Sequence, residues 1–315
     1  MKIAFILFSV IILIIAPFYG QIDINISKIL DTSSMEYQVF WDLRFPRVIV
    51  AFFAGALLGL SGLLFQSLFK NPMGTPYTLG VASGSTLGAA FAIVFGLGAL
   101  TSLFGFLGAI ITVFILFTLT ARLKSFESNS LLLVGIALSF FYNAVLMILF
   151  YISDESQSFE IVRFTMGSLD VVGWEQTILI ALSATFLLAI AIMYKYELRV
   201  LLTSNDNAFL KGIEVKKVNI ILLLAVSVVV GICVSITGPI GFVGLIIPHV
   251  AKMLYRCSAD RLFLPIFFYS GIFLVLSDFI SRNLGTTSDI PIGIITAFVG
   301  GPFFVYLIMH RGKIS

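Results

Sequence analysis

Hydrophobic residues run along this chain in long unbroken stretches, not in alternating or amphipathic patterns. In order, apolar windows fall at about 3–20, 46–69, 79–98, 99–121, 131–152, 176–194, 218–237, 238–255, 262–281 and 290–309. About 20 apolar residues in a helix cross roughly 30 Å of hydrocarbon. The pattern therefore predicts an all-α polytopic transmembrane helical bundle of about ten helices, forming one domain over residues 1–315. The third and fourth windows touch near 98–102, and the seventh and eighth meet at Thr237-Gly238-Pro239. The first window follows Lys2 like a secretion signal. Pro17, Phe18 and Tyr19 stand where small cleavage-site residues belong, so an uncleaved first helix is expected.

Three connecting segments are too long for turns. Residues 21–43 suggest a short interfacial helix, and 153–173 carries net negative charge. Segment 195–217 carries five basic residues and the outline of a short helix. There, Ser204 or Asn205 would cap, Ala208, Phe209 and Leu210 would form an apolar ridge, and Gly212 would end it.

Charge supplies the orientation. With the N-terminus inside, 14 of the 19 basic residues face the cytoplasm, leaving Lys28, Arg44, Arg47, Arg163 and Arg282 outside. The positive-inside rule therefore places both termini in the cytoplasm. A net charge of +3 with no basic cluster interleaved with aromatics gives no nucleic-acid surface. The chain is 59% hydrophobic and only 11% charged, outside the range of soluble domains. Its 26 glycines include Gly55 and Gly59, then Gly80, Gly84 and Gly88, spaced to line helix-packing seams. The 32 phenylalanines read as lipid-facing and packing residues, and Cys233 and Cys257 as free thiols.

Catalytic chemistry is not visible. The sequence has no Walker A loop, no H-E-x-x-H and no Cys/His cluster, so no catalytic residue, cofactor or metal ligand is assigned. Asp278 precedes Arg282 by four residues, the spacing of a pair on one helix face. It reads either as that structural pair or as a proton relay. His249, after Pro248, reads as a packed or interfacial histidine.

Three blocks carry a family resemblance. The first is Leu43-Arg44-Phe45-Pro46-Arg47, running through Gly55, Ser61-Gly62, Gln66, Lys70-Asn71-Pro72 and Leu79-Gly80 to Ser83-Gly84. The second is Gly238-Pro239-Ile240-Gly241-Phe242-Val243-Gly244-Leu245 with Pro248-His249. The third is Pro291-Ile292-Gly293 through Thr296 to Gly301-Pro302-Phe303-Phe304. Together they resemble the FecCD permeases of iron-siderophore, haem and vitamin B12 ABC importers. The resemblance implies a permease that dimerises with a second permease chain in the bacterial inner membrane. Cytoplasmic ABC ATPase subunits would supply the energy, and a periplasmic or lipid-anchored substrate-binding protein would supply the cargo. A ferric siderophore is the expected cargo because that group is common in the family.

By similarity, Arg44, Arg47 and Arg282 match arginines that pair with acids of the binding protein. Segment 203–213 resembles the coupling helices that enter a cleft of the ATPase, with Ser204, Asn205, Ala208, Phe209 and Gly212 in it. Ser204, Asn205 and Lys211 depart from the common Gly, acidic and Leu residues there. Asn71 and Met73 match positions that narrow the inner end of the path, and Asn129 and Ser130 are the corresponding pair before the fifth helix. Two rivals compete: a proton-coupled secondary transporter of a small solute using Asp278, and an intramembrane enzyme, for which no catalytic constellation is found.

Overall fold

The structure is a computed structural model that describes residues 9, 11–20, 25–122, 128–203, 208, 210–285 and 289–310. The described residues form helices, turns and loops, with no strand among them. The principal helices are α1 (Phe45–Leu68), α2 (Val81–Val94), α3 (Thr101–Arg122), α4 (Ser128–Ile152), α5 (Glu155–Met166), α6 (Glu175–Met193), α7 (Lys195–Thr203), α8 (Val215–Thr237), α9 (Val243–Tyr255), α10 (Phe263–Leu284) and α11 (Ile292–His310). Among the described residues, six helical stretches are long and apolar enough to cross a membrane, and three shorter apolar helices accompany them.

Helix α1 is the axis of the bundle. It packs against α10, α6, α9 and α8, and nearly all its residues from Val48 to Ser67 are buried. Small residues allow that closeness. A Cβ on Gly55 or Gly59 would strike Ser270 of α10, and one on Gly62 would strike the backbone of Gly244 on α9. A second seam joins α2 to α3, where Gly84 meets Gly108 and Thr112, and Gly88 meets the Phe104 carbonyl. Without a hydrophobic force between helices in lipid, such contact depends on dispersion at short range. Both predicted glycine sets thus lie on packing seams, with Gly80 against Gly135 of α4.

The eighth predicted span, 238–255, is not one helix. Residues 238–242 are non-helical, and α9 begins only at Val243. Gly238 and Phe242 both take left-handed backbone conformations, at φ 66° each. An unwound backbone inside a bilayer protein must find partners within the protein. Here Tyr77, from the loop after α1, supplies them: its hydroxyl donates to the Ile240 carbonyl and accepts from the Ile240 N–H, both at 2.6 Å.

A second defect is repaired in the same manner. Pro248 inside α9 has no N–H to give the Gly244 carbonyl four residues earlier. Gln66 of α1 donates to that carbonyl instead, Nε2 to O at 3.1 Å, and Lys252 donates in turn to Gln66 Oε1 at 2.9 Å.

Other boundaries shift for local reasons. The expected interfacial helix in 21–43 is found as Met35–Gln38, capped by Ser34, and continues without interruption through Val39–Arg44 into α1. Segment 153–173 contains α5, which Asp154 and Gln157 start with a reciprocal capping box. Gln157 also donates to the Val94 carbonyl at the end of α2, at 3.1 Å. Helix α2 is only 14 residues long, shorter than the predicted window 79–98, because Gly96 (φ 71°) turns the chain before α3.

Candidate functional site

One end of the bundle gathers charge. Arg47, in the first turn of α1, bonds three carboxylates from distant parts of the chain. Its Nε donates to Asp278 Oδ1 of α10 at 2.9 Å. Its Nη1 reaches Asp170 Oδ1 of the α5–α6 loop at 2.5 Å and Asp289 Oδ2 of the loop before α11 at 2.6 Å. Arg282 Nε lies 3.0 Å from Asp278 Oδ2, which balances charge, although the two atoms are not aligned as a hydrogen bond. The predicted pair on one helix face is therefore present, and Asp278, wholly buried, sits between two guanidinium groups.

Asp170 divides its oxygens. One is on Arg47, and the other accepts from Arg163 Nη2 at 3.1 Å and from the Ser168 hydroxyl at 2.7 Å. Burial alone would raise this carboxyl, but the Arg47 charge, the Ser168 hydroxyl and Arg163 together outweigh it and hold it below the ordinary carboxylate range.

Arg44 and Arg282 occupy the same region but point at backbone. Arg44 Nη1 donates to the Phe18 carbonyl at 3.2 Å, and Arg282 donates to the Tyr19 and Ala16 carbonyls at 3.3 and 3.4 Å. These carbonyls end the first helix, whose described part covers residues 11–15 and the short turn Ala16–Phe18. Terminal carbonyls have no partner in their own helix and carry its negative dipole end, so cations stabilise them. Both side chains are buried in the chain. The sequence-based expectation placed Arg44, Arg47 and Arg282 on an outer surface; the structure brings them together and engages all three internally.

Arg163 was placed on the outer side from its sequence position, but neither it nor Asp170 or Asp289 was given a role in a site. For Asp170 and Arg163 the available signal was the concentration of acids in 153–173 beside a lone arginine. Arg47, Arg163, Asp170 and Asp289 line a cavity of about 540 Å³ with Phe159 and Met166 of α5.

The other end of α1 lies about 28 Å away, at 1.5 Å per residue from Arg47 to Gln66. There Asn71 spends its side-chain oxygen locally, accepting from the Met73 N–H at 2.9 Å, and Met73 is exposed. The same loop, at Thr78 and Leu79, abuts Gly135 of α4. That contact lies five to six residues beyond Ser130 and Asn129, whose side chains fall outside the described residues.

Helix α7 is anchored at this end by Arg199, whose Nε and Nη2 donate to Asp260 Oδ2 at 2.8 and 2.6 Å. Asp260 is also held by the Ser258 hydroxyl. Burial pushes its carboxyl upward, but Ser258 and Arg199 together keep it below the usual range. Of the segment expected to couple to an ATPase, Ser204, Asn205 and Phe209 lie outside the described residues. Ala208 is buried, Leu210 is exposed, and Gly212 ends the turn at φ 74° with the Ile213 N–H on the Ala208 carbonyl at 3.0 Å. This is the glycine-terminated helix end expected from the sequence.

A bundle of helices long and apolar enough to cross a membrane, two of whose backbone breaks are satisfied from within, defines a polytopic membrane protein with a charged cluster beside a cavity at one end. The FecCD transport family model matches residues 6–310, and the chain belongs to that family. It is 33% identical over 304 residues to the hemin transport system permease protein of Yersinia pestis, covering 93% of this chain and 90% of that one. It is 35% identical over 314 residues to the molybdate import system permease protein of Haemophilus influenzae, covering 95% and 90%. A solved ABC transporter of metal-chelate type, in an inward-facing conformation, superposes with a TM-score of 0.85 at 30% identity over 98% of this chain and 99% of that one. Other relatives are named as vitamin B12 and iron chelatin permeases. The chain is thus a multi-pass inner-membrane subunit of an ABC importer and not an enzyme, with ATP hydrolysis residing in a separate subunit. Membership in the family sets aside the proton-coupled and enzymatic rivals.

Proposed function

We propose that this permease imports an iron chelate, with a ferric siderophore as its cargo, as one half of a dimer of permease chains. The observation that carries the metal-chelate class is the near full-length likeness to a transporter of that type, supported by relatives named for hemin and iron chelatin. In this reading the arginine end faces outward, as the distribution of basic residues suggests. The substrate-binding protein docks there, at the region of Arg44, Arg47 and Arg282. The opposite end faces the ATPase, with Ala208 and the exposed Leu210 on the coupling segment and Gly212 fixing its end. Asn71, Met73, Asn129 and Ser130 narrow the inner end of the path between the loop after α1 and the start of α4.

A cargo panel tests the assignment. The permease, its ATPase and its binding protein are reconstituted in vesicles and offered ferric siderophore, hemin, cobalamin or molybdate. Preferential ATP-dependent uptake of ferric siderophore is expected. Uptake of molybdate or cobalamin instead would overturn the cargo while leaving the importer class in place.

A further inference from the structure

The charged cluster does not spend all its donors. Arg47 uses Nε on Asp278 and Nη1 on Asp170 and Asp289, which leaves Nη2 with no acceptor among the described residues, in a place that solvent reaches. Arg163 uses only Nη2, on Asp170, so its Nε and Nη1 are likewise unspent, and its side chain is 62% exposed. The carboxylates are more fully engaged. Both oxygens of Asp170 accept hydrogen bonds, and Asp278 is wholly buried between two guanidinium groups. Of the three acids, only Asp289 keeps an accessible oxygen, Oδ1, with no donor among the described residues. Each unspent guanidinium nitrogen carries one or two N–H bonds, so donors outnumber acceptors on this wall.

Arg47, Arg163 and Asp289 all line the cavity of about 540 Å³. Its other wall is apolar. Phe159, Val162 and Met166, spaced to fall on one face of α5, line the same space and are exposed although they are large and hydrophobic. Small-molecule sites have this composition, with volumes of roughly 300–1,000 Å³, apolar walls and a few convergent polar groups. Guanidinium donors that remain charged at any physiological pH favour oxygen atoms bearing negative charge.

We propose that this cavity is a subsite for the cargo itself, and that it selects an anionic ferric chelate, with catecholate or carboxylate oxygens, over a neutral chelate of the same metal. Arg47 Nη2 and Arg163 take the acidic oxygens, and the α5 wall covers the apolar body of the ligand. A bare oxyanion such as molybdate would meet the arginines but leave that wall uncovered, so the bulky chelate is the better occupant. This rests on the reading that an iron chelate enters at the arginine end, and it narrows the cargo by charge.

The test equilibrates the permease–ATPase complex in nanodiscs, without binding protein, with radio-iron-labelled ferric tricatecholate, which is trianionic, or ferric trihydroxamate, which is neutral. Thermal stability is the folding control. At low salt the tricatecholate should bind about tenfold more tightly, the scale of one charge-assisted hydrogen bond, and added salt should erode that advantage. Arg163→Gln should weaken the tricatecholate about tenfold and leave the trihydroxamate unchanged, and Arg163→Lys, which keeps the charge, should retain most of the binding. Phe159→Ala should weaken both chelates. Equal wild-type affinities for the two chelates, or an Arg163→Gln variant that weakens both alike or neither, would overturn the charge selection. Displacement of the tricatecholate by an equal concentration of molybdate would overturn the chelate as occupant. Uptake of no ferric chelate by the complete importer would instead overturn the cargo reading on which the subsite rests, whereas uptake of ferric chelates without charge preference in binding overturns the subsite alone.

Discussion

Replacing Tyr77 with Phe removes one oxygen atom and leaves two backbone groups without partners. The Ile240 carbonyl loses its donor and the Ile240 N–H loses its acceptor, both now at 2.6 Å from the phenol. Each orphaned buried group costs about 1 to 3 kcal/mol. Side-chain hydrogen bonds inside membrane proteins average less, about 0.6 kcal/mol, because chains unfolded in the membrane also find partners. The groups here belong to an unwound segment with left-handed residues on both sides, so the backbone has little room to repair itself. We expect a loss of about 2 to 4 kcal/mol, toward the upper end for two simultaneous orphans. Tyr142→Phe is the internal comparison. Among the described residues its hydroxyl meets only the Thr112 hydroxyl, at 3.0 Å, and Thr112 already donates to the Gly108 carbonyl at 2.7 Å. That substitution should cost less than about 1 kcal/mol. Thermal unfolding of both variants in detergent, followed by a dye or by tryptophan fluorescence, gives the difference. A Tyr77→Phe midpoint no lower than that of Tyr142→Phe would refute the claim that the phenol completes the broken helix.

Gln66→Leu should destabilise the protein by about 1 to 3 kcal/mol by orphaning the Gly244 carbonyl. Adding Pro248→Ala should recover part of that loss, since an N–H at position 248 can reach the same carbonyl; a double-mutant cycle in the unfolding midpoint checks this. The Asp170 carboxyl titrates lower in the folded protein than in the unfolded chain, where it sits near 3.8. Its stabilising contribution is therefore complete above that value and falls away as pH drops through the folded one. Unfolding midpoints should show no Asp170-dependent slope between pH 5 and 8, and Asp170→Asn should reduce the slope below about pH 4. Leu210→Asp should abolish co-purification with the ATPase without altering membrane insertion, because it places a carboxylate on the exposed apolar tip of the segment proposed to dock the ATPase.

Much of the fold was legible because lipid imposes strong, local constraints. The long apolar runs mark the helices, and Gly55, Gly59, Gly84 and Gly88 mark their contacts, because a spacing of four returns to the same helix face. The Asp278–Arg282 pair was legible on the same rule. The break at 238–242 was hidden inside an apolar window even though Gly238, Pro239 and Gly241 are turn residues, since the partner that makes it tolerable, Tyr77, lies 163 residues away in sequence. Arg47 was picked out by resemblance, but its bonds to Asp170, Asp278 and Asp289 span 123, 231 and 242 residues, and no periodicity reports such contacts. Likewise, Gln66 and Pro248 stood in separate motif blocks until the fold showed that one supplies the donor the other lacks.

The importer mechanism is tested most directly by the energy source of uptake. The permease is reconstituted with its ATPase, ATP is enclosed on the coupling-segment side, and the binding protein loaded with ferric siderophore is added at the arginine end. An ATP-driven import cycle should accumulate the chelate, and accumulation should stop when ATP, the ATPase or the binding protein is omitted. Accumulation by the permease alone, driven by a pH gradient without ATP, would contradict it.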